Sequence, residues 1–174
     1  MEAYIYDSVR TPRGIGKKTG ALSQVSPVQL VTALLKALKE RNNLDTTLVE
    51  DLILGCVTQA GEQGGNIAKV AAQCSNYGDH LSALSINRYC ASGLEAINQA
   101  AAMVKSGWSN LIIAGGVESM SRVPMGIDGS AWVMEPDAAF GKCVAQGISA
   151  DLIATTYGFS RNYVDRFAVT SQQR

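Results

Sequence analysis

An alternation of short apolar runs with helix-period segments constrains this chain more than any of its other features. Four runs of strand length begin at Ala3, Val49, Leu81 and Asn110. Between them lie segments whose apolar residues recur at three- and four-residue steps, which is the period of one helix face. Ser26, directly before Pro27, and Asn66 are the predicted caps at the start of the first two helices. A β-α-β-α-β-α-β order predicts a parallel, doubly wound sheet with helices on both faces. We therefore expect an α/β fold with four parallel strands.

The stretch from Leu81 to Trp108 carries the residue with the clearest chemistry. It reads as a strand, a tight turn with Cys90, and a helix that begins at the cysteine and stops at Gly107. Free N–H groups at a helix start favour the thiolate, which is the nucleophilic form of cysteine. We predict that Cys90 is a nucleophile and that its own backbone N–H helps to bind an oxyanion. The alternative is a buried structural cysteine.

The other cysteines and the single histidine offer Cys90 no partner. Cys56 and Cys74 continue apolar segments, so we expect core packing for both, and Cys143 lies in an irregular segment. Without a CxxC pair or framework spacing, we expect reduced thiols and no metal site. His80 stands at the opposite end of the strand that leads to Cys90, roughly 20–30 Å away at the rise of a strand. Glu118 and Asp128 are other candidates, but nothing in the sequence places them near Cys90. The proton acceptor is therefore expected outside this chain.

Charge and composition exclude several classes of partner. Fifteen basic and fifteen acidic residues balance across 174 positions, so we expect neither nucleic acid nor a membrane surface as a partner. The chain has no apolar run of 18 residues and no signal-peptide pattern at its start, so a cytoplasmic protein is expected. After Gly116 the sequence turns irregular, and Ser149 and Ser160 are predicted caps of two later helices.

Three motifs, in order, are NRYCASGLEAI around Cys90, AGGVESMSRVPM after the fourth strand, and QGISADLIATTYGFSRNYVDRFAVTSQQR at the end. The chain resembles the N-terminal portion of the thiolases, the family of acetyl-CoA acetyltransferases and 3-ketoacyl-CoA thiolases. The resemblance implies a thiolase-like fold. Residues 1–117 would be the N-terminal thiolase-fold domain without its last strand, and residues 118–174 the first part of a helical and irregular loop domain.

The resemblance also implies an activity. It implies an acyltransferase of fatty acid metabolism that acts on coenzyme A thioesters through an acyl-Cys90 intermediate. Coenzyme A would be a substrate, and no metal or redox cofactor is implied. In the family the second half supplies a catalytic histidine, a second cysteine and most coenzyme A contacts. We therefore expect this chain alone to be inactive, and the parent protein to be a homodimer or homotetramer.

One departure from the family pattern bears on specificity. Biosynthetic thiolases usually carry His-Met before the glycine that Gly147 matches, whereas Ala145 and Gln146 stand here. The resemblance then favours a degradative type of thiolase, with Gln146 near the acyl pocket. The alternative, equally supported, is that Gln146 is an ordinary residue before a helix with no role in binding.

Three other interpretations of the whole chain remain: a non-catalytic half-subunit completed by a partner chain, an inactive paralogue, and a ketoacyl synthase-like condensing enzyme. The VESMSR run argues against the last.

Overall fold

The computed structural model of the protein describes residues 2–129, residue 134 and residues 144–174. They fall into two compact units, Met1–Asp128 and Gly129–Arg174. The domain boundary predicted between residues 117 and 118 stays a prediction. Among the described residues, no helix is long and apolar enough to cross a membrane.

The first unit is built on a parallel sheet. Its three strands are β1 (Asp51–Gly55), β2 (Ser82–Ile86) and β3 (Ile112–Gly116), in the order β2-β1-β3. The central strand is registered with Asp51 opposite both Ser82 and Ile112. Leu52 and Ile53 are fully buried, one on each face, as expected for a parallel strand covered on both sides.

Helices cover both faces of this sheet, which confirms the predicted α/β class. Helix α1 (Pro27–Asn42) and α2 (Ile67–Cys74) pack on one face, around a core that includes Leu35, Leu52 and Tyr77. Helix α3 (Ser92–Ser106) covers the other face, where Ile53 packs against Ala96 and Ala100. Two short 3-10 turns, Thr46–Leu48 and Gly61–Gln63, lie in the connections.

Local capping explains where these helices begin and end. Ser26 forms a capping box with Gln29 ahead of Pro27. Asn66 accepts the Lys69 N–H at the start of α2. Helix α3 ends at Gly107, which has a left-handed backbone as expected of a C-terminal glycine. These predicted boundaries are confirmed.

The second unit contains helix α4 (Gln146–Thr156) and helix α5 (Arg161–Gln173). The predicted cap at Ser160 is confirmed, because its hydroxyl accepts the Tyr163 N–H. The predicted cap at Ser149 is wrong: α4 begins three residues earlier, and the Ser149 hydroxyl instead faces the carbonyl of Val144 at 3.4 Å. A serine inside a first turn can bond a preceding carbonyl and does not mark the helix start.

The strand predicted at Ala3–Asp7 is also wrong. This segment lies outside the sheet, and its large apolar side chains, those of residues 4–6, are exposed, with Tyr6 at 85%. A strand pattern becomes a strand only where a neighbouring strand pairs with its backbone, and no described strand does so here. The segment is held instead by Asp7, which accepts from Asn42 at 2.8 Å and pairs with Arg41 at 3.2 Å. The Asn42 hydrogen bond is the main cause that lowers the pKa of Asp7.

Glycines at the ends of β1 and β3, which have no side chain, let α3 approach the strands closely. A Cβ placed on Gly55 would lie 2.3 Å from the carbonyl carbon of Ser92 and 2.5 Å from the nitrogen of Gly93. A Cβ on Gly116 would meet the Gly55 oxygen at 3.0 Å. The first turn of α3 therefore rests directly on the carboxyl ends of β1 and β3, and only glycine fits at Gly55.

Gly55→Ala is expected to destabilise the protein by about 3 kcal/mol, because backbone atoms of α3 must shift to admit the methyl group. Gly93→Ala is the matched control from the other side of the same contact. A Cβ there finds only the Gly115 oxygen, at 3.9 Å, so its free energy of unfolding should stay within about 1 kcal/mol of the parent. Urea unfolding of both variants measures the difference. Equal stabilities would contradict the close approach.

Candidate active site

Cys90 lies exposed in the turn that joins β2 to α3. Helix α3 begins at Ser92, with Ala91 as its N-cap, so the cysteine stands two residues before the helix and not at its start. Because β2 runs parallel to β1, this turn lies at the carboxyl ends of the strands, where sites gather in such folds. The predicted turn after the strand is confirmed, whereas the predicted helix start at Cys90 is wrong by two residues. The role of Cys90 as nucleophile stays a prediction.

Hydrogen bonds hold this turn in an uncommon conformation. Tyr89 has a φ of 48°, in the left-handed region that costs a residue with a Cβ roughly 1–2 kcal/mol. The buried Ser92 hydroxyl accepts the Arg88 N–H at 2.8 Å and donates to the Tyr89 carbonyl at 2.6 Å. The Asn87 side chain accepts the Tyr89 N–H at 2.8 Å. These bonds offset the backbone cost and define where Cys90 points.

Backbone N–H groups in the turn and at the start of α3 lack a backbone acceptor among the described residues. Within the described part of the chain, the N–H groups of Cys90, Gly93 and Leu94 donate to no backbone carbonyl. Unpaired N–H groups at a helix start favour negative charge nearby. This arrangement can stabilise an oxyanion, which is the chemistry predicted for the Cys90 N–H.

Charged side chains beside the turn neutralise one another. The Arg88 guanidinium pairs with Glu95 at 3.1 Å, and Gln99 donates to the same carboxylate at 3.0 Å. Glu95 lies in the first turn of α3, where a carboxylate is favourable. Because the Arg88 guanidinium is paired with Glu95, it offers no free positive charge to Cys90.

The other cysteines differ sharply in environment. Cys56 is 1% exposed, which confirms the core prediction, and burial followed by the Glu118 carboxylate raises the pKa of its thiol to about 12. Cys74 is exposed, so the prediction of core packing is wrong for it. It is the last residue of α2, where the helix ends and its apolar stripe leaves the core. Cys143 lies outside the described residues.

The remaining predicted site residues are not brought to Cys90. His80 is exposed in the turn before β2, at the other end of the strand from the cysteine. Gln146 is the exposed first residue of α4 in the second unit, and its role in substrate binding stays a prediction.

A polar network at the same sheet edge was missed by sequence reasoning. Glu118 follows β3 and accepts from the backbone N–H groups of Val57 and Thr58, at 2.8 and 3.3 Å. It also accepts from the fully buried Gln63 amide at 2.7 Å, and Gln63 in turn accepts the Ser119 N–H at 2.6 Å. An acidic residue directly after an apolar strand was the available signal, but its partners lie about 60 positions away in the chain.

Iodoacetamide at pH 8.5 should modify Cys90 and Cys74 in the folded protein and leave Cys56 unmodified. Cys56 is buried, and with a pKa of about 12 its thiol stays protonated at that pH. Peptide mapping by mass spectrometry reads each cysteine separately, and the urea-unfolded chain is the control in which Cys56 reacts. Modification of Cys56 in the folded protein at the unfolded rate would contradict its placement.

Comparison with known proteins agrees with this architecture. A family model described as "Thiolase, N-terminal domain" matches residues 3–174. The chain is 39% identical to a 3-ketoacyl-CoA thiolase of Shewanella loihica, covering 99% of this chain and 45% of that protein. It is 40% identical to the 3-oxoadipyl-CoA/3-oxo-5,6-dehydrosuberyl-CoA thiolase of Escherichia coli, covering 99% and 47%. A steroid 3-ketoacyl-CoA thiolase of Mycobacterium tuberculosis is 32% identical.

Among solved structures, the Bacillus anthracis acetyl-CoA acetyltransferase superposes with a TM-score of 0.57 at 36% identity, covering 60% of this chain and 26% of that one. The chain spans about half the length of the curated relatives that it matches. The parallel sheet, the helices on both faces and the match across residues 3–174 lead to one conclusion: the chain belongs to the thiolase family, as an N-terminal domain.

Proposed function

We propose that this chain is the N-terminal part of a thiolase that cleaves or forms 3-ketoacyl-CoA thioesters, with Cys90 as the nucleophile. The observation that carries the proposal is the exposed Cys90 thiol in a hydrogen-bonded turn at the carboxyl edge of the sheet. The names of these relatives share a 3-ketoacyl-CoA thioester and differ in the acyl group, so that thioester is the proposed substrate class.

In the proposed reaction the Cys90 thiolate attacks the C3 carbonyl carbon of the substrate and forms a carbon–sulfur bond. The C2–C3 bond then breaks, and its electron pair remains on C2 of acetyl-CoA as an enolate, which takes up a proton. The thiolate of free coenzyme A attacks the acyl-Cys90 thioester, so acyl-CoA leaves and the Cys90 thiolate returns. Run in reverse, two acetyl-CoA molecules give acetoacetyl-CoA.

The backbone around Cys90 is proposed to bind the negative charge that develops on the substrate oxygen. Each tetrahedral intermediate carries an oxyanion, and the Cys90 N–H is proposed as one of its donors. A well-aimed donor of this kind contributes about 3–4 kcal/mol to an oxyanion intermediate. The absence of an acceptor for this N–H within the described backbone is consistent with that role.

The proton acceptor is proposed to come from another part of the enzyme. His80 is the single histidine of the chain and stands at the far end of β2. We propose that the half of the enzyme which this chain does not cover supplies the acid/base groups and most coenzyme A contacts. The isolated chain would then hold the nucleophile without its base.

Assembly and location belong to the same proposal. We propose at least a homodimer, because β2 is an edge strand of the sheet that the described residues form. Leu84 on this strand and Leu94 and Ile97 on α3 also expose apolar side chains. We also propose work in the cytoplasm, which suits the free thiols of Cys56, Cys74 and Cys90. Gln146 is proposed to contact the acyl group.

The purified 174-residue chain should show no thiolysis of acetoacetyl-CoA. Mixed with the part of the Shewanella loihica thiolase that this chain does not cover, it should form active enzyme, followed by loss of the acetoacetyl-CoA absorbance. Cys90→Ala should lower that activity by at least about a thousandfold, since the proposed acyl intermediate forms on its sulfur.

Cys74→Ala is the matched control, because Cys74 is equally exposed but lies at the end of α2. Thiolysis by the chain alone, or by the mixture containing Cys90→Ala, would contradict the proposal. A mixture that binds but stays silent would favour the inactive paralogue.

A further inference from the structure

The Glu118 carboxylate uses both of its oxygens to hold the loop after β1. Oε2 accepts the Val57 N–H at 2.8 Å, and Oε1 accepts from Thr58 at 3.3 Å and from the Gln63 amide at 2.7 Å. All three partners are donors, so the position requires an acceptor at both oxygens. Hydrogen bonds to an ionised acceptor are about twice as strong as neutral ones.

Gln63 fixes which groups donate and which accept in this network. Its amide nitrogen also donates to the Thr58 carbonyl at 2.8 Å, and its oxygen accepts the Ser119 N–H at 2.6 Å. A flipped amide would lose both bonds in a fully buried side chain. The donors that face Glu118 therefore cannot exchange roles with it.

The Val57–Thr58 peptide links Glu118 to the turn that carries Cys90. Its N–H, that of Thr58, points to Glu118, while its carbonyl, that of Val57, accepts from the Asn87 side-chain amide at 3.1 Å. A peptide held on both sides is polarised, which strengthens both bonds. The other end of the Asn87 amide accepts the N–H of Tyr89, the residue directly before Cys90.

We propose that Glu118 is a positioning residue for Cys90. It acts through Asn87, which holds the left-handed backbone of Tyr89 and keeps the turn in one conformation. The inference rests on the proposed role of Cys90 as nucleophile and goes beyond it, because it assigns a function to a carboxylate after β3 that touches no reacting atom. Loss of the restraint should let the turn leave the conformation that presents the Cys90 thiol beside the N–H groups at the start of α3, and so slow its reaction with electrophiles.

The chain offers a matched pair at the opposite edge of the sheet. Glu50, just before β1, accepts from the backbone and the side chain of Asn110, at 3.1 and 2.8 Å. This carboxylate and asparagine also join two neighbouring strands, but at the amino ends, far from the turn that holds Cys90. Substitutions there have a comparable structural effect without a path to the turn.

The test compares Glu118→Gln and Asn87→Ala with Glu50→Gln and Asn110→Ala in the 174-residue chain. Glutamine has the shape of glutamate, but its amide group must face a donor in either orientation. The measurements are the rate of Cys90 alkylation by iodoacetamide at pH 7.5, amide exchange at Tyr89 relative to β1, and the urea midpoint.

Glu118→Gln and Asn87→Ala should each slow Cys90 alkylation by at least about threefold and speed Tyr89 exchange by a similar factor. The double variant should be no slower than Asn87→Ala alone, because both act along one path. The Glu50 and Asn110 variants should leave Cys90 alkylation within about twofold of the parent at a similar loss of stability.

An unchanged or faster alkylation rate in Glu118→Gln, additive effects in the double variant, or equal effects of the Glu50 pair would overturn the inference. If Glu118→Gln fails to fold, the comparison of Asn87→Ala with Asn110→Ala decides. A parent chain in which Cys90 reacts no faster than Cys74 would instead contradict the proposed nucleophile itself.

Discussion

The seating of α3 on bare backbone at Gly55 is the contact on which the rest of the structure depends. A side chain there would push the helix away from the sheet, because its methyl group would overlap backbone atoms of Ser92 and Gly93. The same closeness buries Ile53 under Ala96 and Ala100, which forms the core of that face. It also brings the turn before the helix to the carboxyl edge of the strands. Packing and site therefore share one steric requirement.

Hydrogen bonds then fix the conformation of the loops that this packing brings together. The loops after all three strands meet at one edge, and Glu118, Gln63 and Asn87 join them through bonds to backbone groups. The network lies beside the buried Cys56, whose thiol is kept protonated by burial and by the Glu118 charge, as its raised pKa indicates. The carboxyl ends of the strands thus carry two different thiols: Cys56 is buried in the core, and Cys90 is exposed to solvent. Environment, not residue type, separates their chemistry.

The chain belongs to the thiolase family and covers about half of its relatives' length. Both facts agree with the proposal that Cys90 is the nucleophile and that its acid/base groups come from another part of the enzyme. The exposed apolar segment near Tyr4 has the same character, since a strand pattern without a partner strand stays outside the sheet. Both features are explained if each needs a neighbour that residues 2–129 do not provide.

Local chemistry determined much of the fold from sequence alone: the strands at Asp51, Ser82 and Ile112, the caps at Ser26 and Asn66, and the turn at Cys90. These depend on residues within a few positions of one another, so a single sequence contains them. Tertiary structure decided that Ala3–Asp7 stays unpaired, that Cys74 is exposed, and that Glu118 reaches Val57. Each of these outcomes depends on which distant segment lies alongside, and periodicity carries no information about that.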